Sequence, residues 1–113
     1  MANLTNYNIG GDIVKDDETY QIIDNQQLKN LTLSQTRLHA HRQTRGHRHA
    51  GQEEIYFFIA GTGQMIVGDE DSDAFAVTTG DVVIIPDGAF HRVINTHEID
   101  LVFNCVFDGS RNH

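Results

Sequence analysis

From residue 54 to residue 107 the sequence is a succession of short apolar runs, each closed by glycine, proline or a group of polar and acidic residues. The runs are rich in β-branched and aromatic residues, and no window sustains a 3.6-residue apolar period. Pieces of this size are strands, and many short strands joined by glycine turns make a sandwich or a barrel. The fold class is therefore all-β, in a single domain. A barrel also resolves the exposed edges that so many strands would otherwise present.

The turns set the order of elements. Residues 27–39 alternate weakly and are expected to cross the sheet. Residues 54–60 are a buried strand. Residues 64–67 return from a tight turn at Gly61-Thr62-Gly63 as the second arm of a hairpin, with glycine where positive φ is wanted. An acidic turn at 68–73 leads to strands at 74–78 and 82–85, then 91–95 and 101–107. Residues 1–25 read as an N-terminal segment, giving an edge strand at 20–23 or an arm to a second copy, and residues 26–113 as the barrel. An isologous homodimer is the expected assembly.

Charge and composition narrow the partners. Acidic residues number 16 against 8 Lys and Arg, a formal net charge of −8. No basic stripe suited to nucleic acid is visible, and the one basic cluster, residues 37–48, reads as a solvated loop. No apolar run approaches a membrane span, and the polar opening residues lack the apolar stretch of a signal peptide. Cys105 is the only cysteine, so no internal disulfide forms and a cytoplasmic location is expected. Within its apolar run that thiol reads as an inert core group. The unusual number is seven histidines, and they are clustered.

His47 and His49 flank Arg48. On an extended chain residues two apart share a face, so the pair sets two imidazoles side by side, as chelation of one metal requires. Glu54 follows after a gap long enough for a short turn, and Glu53 competes for the same role. Glu54 heads an otherwise apolar run, where a carboxylate without a partner is costly; a metal supplies that partner. His91 opens a strand just after the turn Pro86-Asp87-Gly88. Three imidazoles and one carboxylate suit one divalent transition metal: Fe, Mn, Ni, Zn or Co. Such a ligand set leaves positions open for a substrate on a five- or six-coordinate ion.

Residues 46–61, GHRHAGQEEIYFFIAG, resemble the first motif of the cupin superfamily: His-x-His, a short gap, Glu, six residues, Gly. Residues 80–95, GDVVIIPDGAFHRVIN, resemble the second: Gly, five residues, Pro-x-Gly, two residues, His, three residues, Asn. The first departs from the pattern only in the glycine usually found some residues before its first histidine, where Thr44-Arg45-Gly46 stands. Eighteen residues separate the motifs, and motifs plus connector cover about half the chain. The resemblance implies a cupin-type double-stranded β-helix, or jelly-roll barrel, with His47, His49, Glu54 and His91 as metal ligands. Gly80, Pro86, Gly88 and Asn95 are expected to shape the turn and the strand end.

If Glu54 faces inward, period two turns Tyr56 and Phe58 inward; His91 does the same for Val93 and Asn95. Phe58 and Val93 read as core, Tyr56 as a phenol on the cavity, and Gln64 as reaching the cavity from the returning strand. Arg37, His39 and His41 share a face and either hold an anionic substrate or meet solvent. His97 and His113 read as surface residues.

Fold does not fix activity. The resemblance to small cupins likened to sugar-phosphate isomerases implies a metal-dependent isomerase or epimerase on a small polar substrate, sugar-like or an oxo acid. Such a reaction needs a proton carrier; with Glu54 on the metal, Tyr56 and His39 are the catalytic candidates. An Fe(II) dioxygenase using the same ligands is one alternative, marked by iron and oxygen uptake. A non-catalytic small-ligand binding protein is the other, marked by tight binding without product.

Overall fold

Nine strands and no helix occupy residues 8–110, which the computed structural model describes. They are β1 Asp12–Asp16, β2 Tyr20–Asn25, β3 Leu31–Leu38, β4 Glu54–Ala60, β5 Thr62–Gly68, β6 Phe75–Thr78, β7 Val82–Ile85, β8 Phe90–Ile94 and β9 Leu101–Asp108. A six-stranded sheet runs β1-β2-β3-β9-β4-β7 and a three-stranded sheet runs β6-β5-β8, with antiparallel pairing throughout. The sheets pack face to face as a jelly roll, and the core lies between them. His113 lies outside the described residues, as do the first seven residues of the N-terminal segment.

Alternation along β4 decides what faces in. Glu54, Tyr56 and Phe58 are buried, while Phe57 between them is exposed. On β9, Phe103 pairs with Phe58, and its ring stacks on Tyr56 at 5.1 Å and meets Phe58 at 5.3 Å. Met65, Val77 and Val93 close the core from the second sheet. Burying each such side chain stabilises the fold by about 1.5–3 kcal/mol.

The hairpin expected around Gly61-Thr62-Gly63 is instead a crossing between the sheets. Strand β4 pairs with β7 and β9, whereas β5 pairs with β6 and β8. Gly61 alone separates β4 from β5; it has φ +88°, and a Cβ there would stand 2.6 Å from the carbonyl oxygen of Asp100. Glycine is needed at a corner that passes under a neighbouring backbone, a demand that looks like a turn in the sequence. Because β5 does not fold back on β4, Gln64 points outward and is exposed, between the buried Gly63 and Met65.

The strand expected over 27–39 is shorter, Leu31–Leu38. The chain bends before it, where the Asn30 carbonyl accepts a hydrogen bond from Gly109 N–H at 3.0 Å. Strand β2 covers Tyr20–Asn25 and lies inside the sheet, between β3 and β1, which forms the edge. Every residue of β1 is exposed, so it carries no buried face for periodicity to reveal.

Residues 43–47 form no named strand, yet they extend the small sheet beside β8. Isolated bridges pair Gln43 with Ile94 and His47 with His91, and Thr44 N–H donates to Val93 O at 2.9 Å between them. This extension delivers two histidines to the barrel mouth.

Candidate metal centre

His47 and His91 face each other across that bridge: each backbone N–H donates to the other's carbonyl, at 3.1 and 3.0 Å. The approach depends on Gly46, with φ +82°, where a Cβ would stand 2.5 Å from Cζ of Phe90. Two residues on, His49 turns to the same side. The His47 and His49 ring centroids are 4.5 Å apart, His47 and His91 4.6 Å, and His49 and His91 6.0 Å. One ring nitrogen from each of the three lies within 4.8 Å of the others.

Glu54 reaches the cluster from the other sheet. A turn closed by Gln52 N–H on His49 O, 3.2 Å, brings the chain back, and β4 starts with the Glu54 carboxylate buried. Glu53, its rival, is exposed. Glu54 Oε1 stands 3.5 Å from His91 Nε2, and both side chains are buried.

The tautomer of His91 bears on what this cluster holds. Its Nδ1 is 3.1 Å from the carbonyl oxygen of Ala89, which can only accept, so the proton sits on Nδ1. Nε2 then presents a lone pair, makes no hydrogen bond among the described residues, and faces a carboxylate. With the imidazole neutral, a cation between Nε2 and the carboxylate would satisfy both. Ligand atoms on one ion at about 2.0–2.2 Å stand about 3 Å apart, close to what Glu54 and His91 show. The donor set fits a divalent transition ion, with the Ala89 carbonyl orienting one imidazole from behind.

The cluster borders a cavity of about 280 Å³ whose lining includes His47, Glu54, Tyr56, Phe103 and Cys105. Tyr56 touches both its wall and the cluster, with its ring edge-on to His91 at 5.7 Å. The Cys105 thiol is reduced and buried. Phe58 and Val93 are core, and Asn95 donates from Nδ2 to the carbonyls of Leu38, His39 and Ile99, at 3.0, 3.2 and 2.9 Å.

His39 is not brought to this cavity. It follows Leu38, which pairs with Leu101, whereas Ile55 next to Glu54 pairs with Val106. Those positions are about 17 Å apart along β9. The His39 ring meets Asp100 at 3.3 Å, Arg37 meets the same carboxylate at 3.7 Å, and His41, in a turn at φ +61°, meets Glu98 at 3.3 Å. Each basic group of this face sits beside an acid. His97 is exposed.

Spacing reasoning missed the rest of the cavity lining. Lys15 on β1, Ser34 and Thr36 on β3, and Arg45 on the bridged segment all line the cavity. The available signal was the alternation of small polar residues, Thr32, Ser34 and Thr36, on one buried face of β3.

A family model described as the cupin domain matches residues 35–107. A glucose-6-phosphate isomerase of Thermococcus onnurineus is 31% identical over 74 residues, covering 62% of this chain and 39% of that protein. The chain spans less than half the length of the curated relatives it matches, 45% and 39%. The plu4264 protein of Photorhabdus luminescens superposes with a TM-score of 0.74 at 17% identity, over 95% of this chain and 86% of that one. A protein of Thermotoga maritima named as a predicted oxalate decarboxylase gives 0.70 at 22% identity, over 79% of each chain. Likeness at this level of identity speaks for the fold alone.

Proposed function

The chain belongs to the cupin-domain family, and on that premise we propose that it is a metal-dependent enzyme of the isomerase or epimerase kind. It acts on a small polar substrate, sugar-like or an oxo acid. The observation that carries this reading is the convergence of the His47, His49 and His91 nitrogens within 4.8 Å, with the Glu54 carboxylate 3.5 Å from one of them. These four residues would hold one divalent transition ion, Glu54 as the fourth ligand. Such an ion would supply Lewis acidity to substrate oxygens.

The remaining work falls to the barrel wall. Tyr56, stacked on Phe103 and part of the cavity lining, is the candidate for carrying a proton at the substrate. His39 is discounted because its ring is turned to Asp100 at the far end of β9. Tyr56 and Phe103 line the cavity and pack with Phe58 into the apolar core. The name carried by the Thermococcus relative favours isomerisation over the other cupin chemistries.

Elemental mass spectrometry of untagged protein made without added metal tests the proposal, beside His47→Ala and His91→Ala. Near-stoichiometric manganese, zinc, nickel or cobalt, lost in both variants and without oxygen uptake, supports it. Iron with oxygen consumed on substrate addition moves the assignment to a dioxygenase. No metal in any preparation, and none taken up on titration, leaves a barrel that binds without turnover.

A further inference from the structure

The cavity lining beyond the histidines carries chemistry that a metal does not need. Ser34 on β3 is 1% exposed and lines the cavity, and its Oγ has no hydrogen-bond partner among the described residues. Buried hydroxyls are ordinarily satisfied, so one left open on a cavity marks a place where a ligand completes the bond. Ser34 pairs with Cys105, which pairs with Tyr56. Ser34 and Tyr56 thus face the same space from backbones two strand spacings apart, about 10 Å.

Two cations, Lys15 and Arg45, line the same cavity as that hydroxyl. Lys15 comes from the edge strand β1; its Nζ donates to Tyr20 Oη at 3.4 Å and lies 5.3 Å over the Tyr20 ring. Arg45 comes from the segment that delivers His47. A groove continues from the mouth, sharing Lys15 and Arg45 and adding Arg92, whose Nη2 donates to Arg45 O at 2.7 Å. Three of the chain's eight Lys and Arg residues therefore gather at one opening of a protein with net charge −8. Of the acids lining the cavity and groove, Glu54 belongs to the histidine cluster, and Asp17 turns its carboxylate to the N–H groups of Thr19 and Tyr20, at 2.9 and 3.0 Å. Asp24, although paired with Ser34, is not in the cavity wall. A positive mouth over a buried donor attracts and seats an anion.

We infer that the substrate is a small acid with two functional ends. Its chelating end meets the histidine cluster, and a second anionic group, carboxylate or phosphate, is bound by Lys15 and Arg45 and accepts the hydroxyl hydrogen of Ser34. This rests on the metal reading above, and it narrows that reading from polar molecules in general to those that carry an anionic group away from the chelating end.

Calorimetric titration of the Mn²⁺-loaded full chain with three matched probes tests it. 2-Oxoglutarate ends in a carboxylate, 4-phosphono-2-oxobutyrate ends in a phosphonate, and 2-oxovalerate keeps the chelating end but finishes in a methyl group. At least one anionic probe is expected to bind about tenfold or more tighter than 2-oxovalerate, and the tighter of the two names the second group. Lys15→Met and Ser34→Ala are expected to pull that preference toward parity, with 2-oxovalerate affinity and metal content preserved. Parity in the wild-type protein, or a preference that survives both substitutions, overturns the inference. If the chain takes up no manganese, the metal reading fails separately. The same three titrations on metal-free protein then decide: a retained anionic preference supports the wall and parity overturns it.

Discussion

The backbone N–H of Gly51 donates to Asp87 Oδ1 at 2.6 Å, tying the loop before Glu54 to the turn before His91. The two loops come from different parts of the chain and lead into different sheets, so this charge-assisted bond registers one pair of ligands against the other. Asp87→Ala is expected to weaken metal binding by up to about tenfold, the low end of what losing a group bonded directly to a ligand costs, since Asp87 bonds Gly51 rather than a ligand. Global stability should fall by only about 1 kcal/mol, because the bond is exposed. Metal titration and urea unfolding read the two effects; unchanged affinity would mean the loops hold their ligands independently.

Gly61 and Gly80 both have positive φ, +88° and +95°, but only Gly61 lies under another backbone. Gly80→Ala meets nothing within 4 Å and is expected to cost only the left-handed backbone penalty, about 1–2 kcal/mol. Gly61→Ala adds a clash with Asp100 O and should be worse by at least about 1 kcal/mol. Paired thermal melts make the comparison. Equal losses would mean that the sheet-to-sheet corner relaxes freely.

That corner marks the limit of what local pattern reveals. A glycine pair between two apolar runs is demanded equally by a hairpin and by a strand crossing from one sheet to another; only the partners of β4 and β5 distinguish them. The inward faces were legible because period two carries burial from Glu54 to Tyr56 and Phe58, and from His91 to Val93. The His47–His91 bridge was not, since it depends on backbone pairing between segments distant in sequence. Nor was the cationic wall: β1 is exposed throughout, and nothing in its pattern says that Lys15 reaches a cavity. Arg37 and His39 allowed two readings because their partner, Asp100, lies across the sheet.

Asp17 offers a pH handle on the hairpin that carries Lys15. Hydrogen bonds from the Tyr20 and Thr19 N–H groups hold its carboxyl below the usual carboxylate range. A pKa lowered by folding stabilises the fold above the unfolded-state value, and that contribution fades as pH falls through the folded one. Wild type is therefore expected to exceed Asp17→Ala in stability at neutral pH, with the gap closing in acid. Urea midpoints across a pH series measure this; a gap independent of pH would assign the effect to turn propensity.

The most direct measurement is calorimetric titration of the metal-free chain with Mn²⁺ or Co²⁺, repeated on His47→Ala, His91→Ala and Glu54→Gln. A single ion per chain in the wild-type protein is expected, with binding abolished in both histidine variants and weakened in Glu54→Gln. Undiminished binding in His47→Ala and His91→Ala, or none in the wild type, would contradict a metal centre at this end of the barrel.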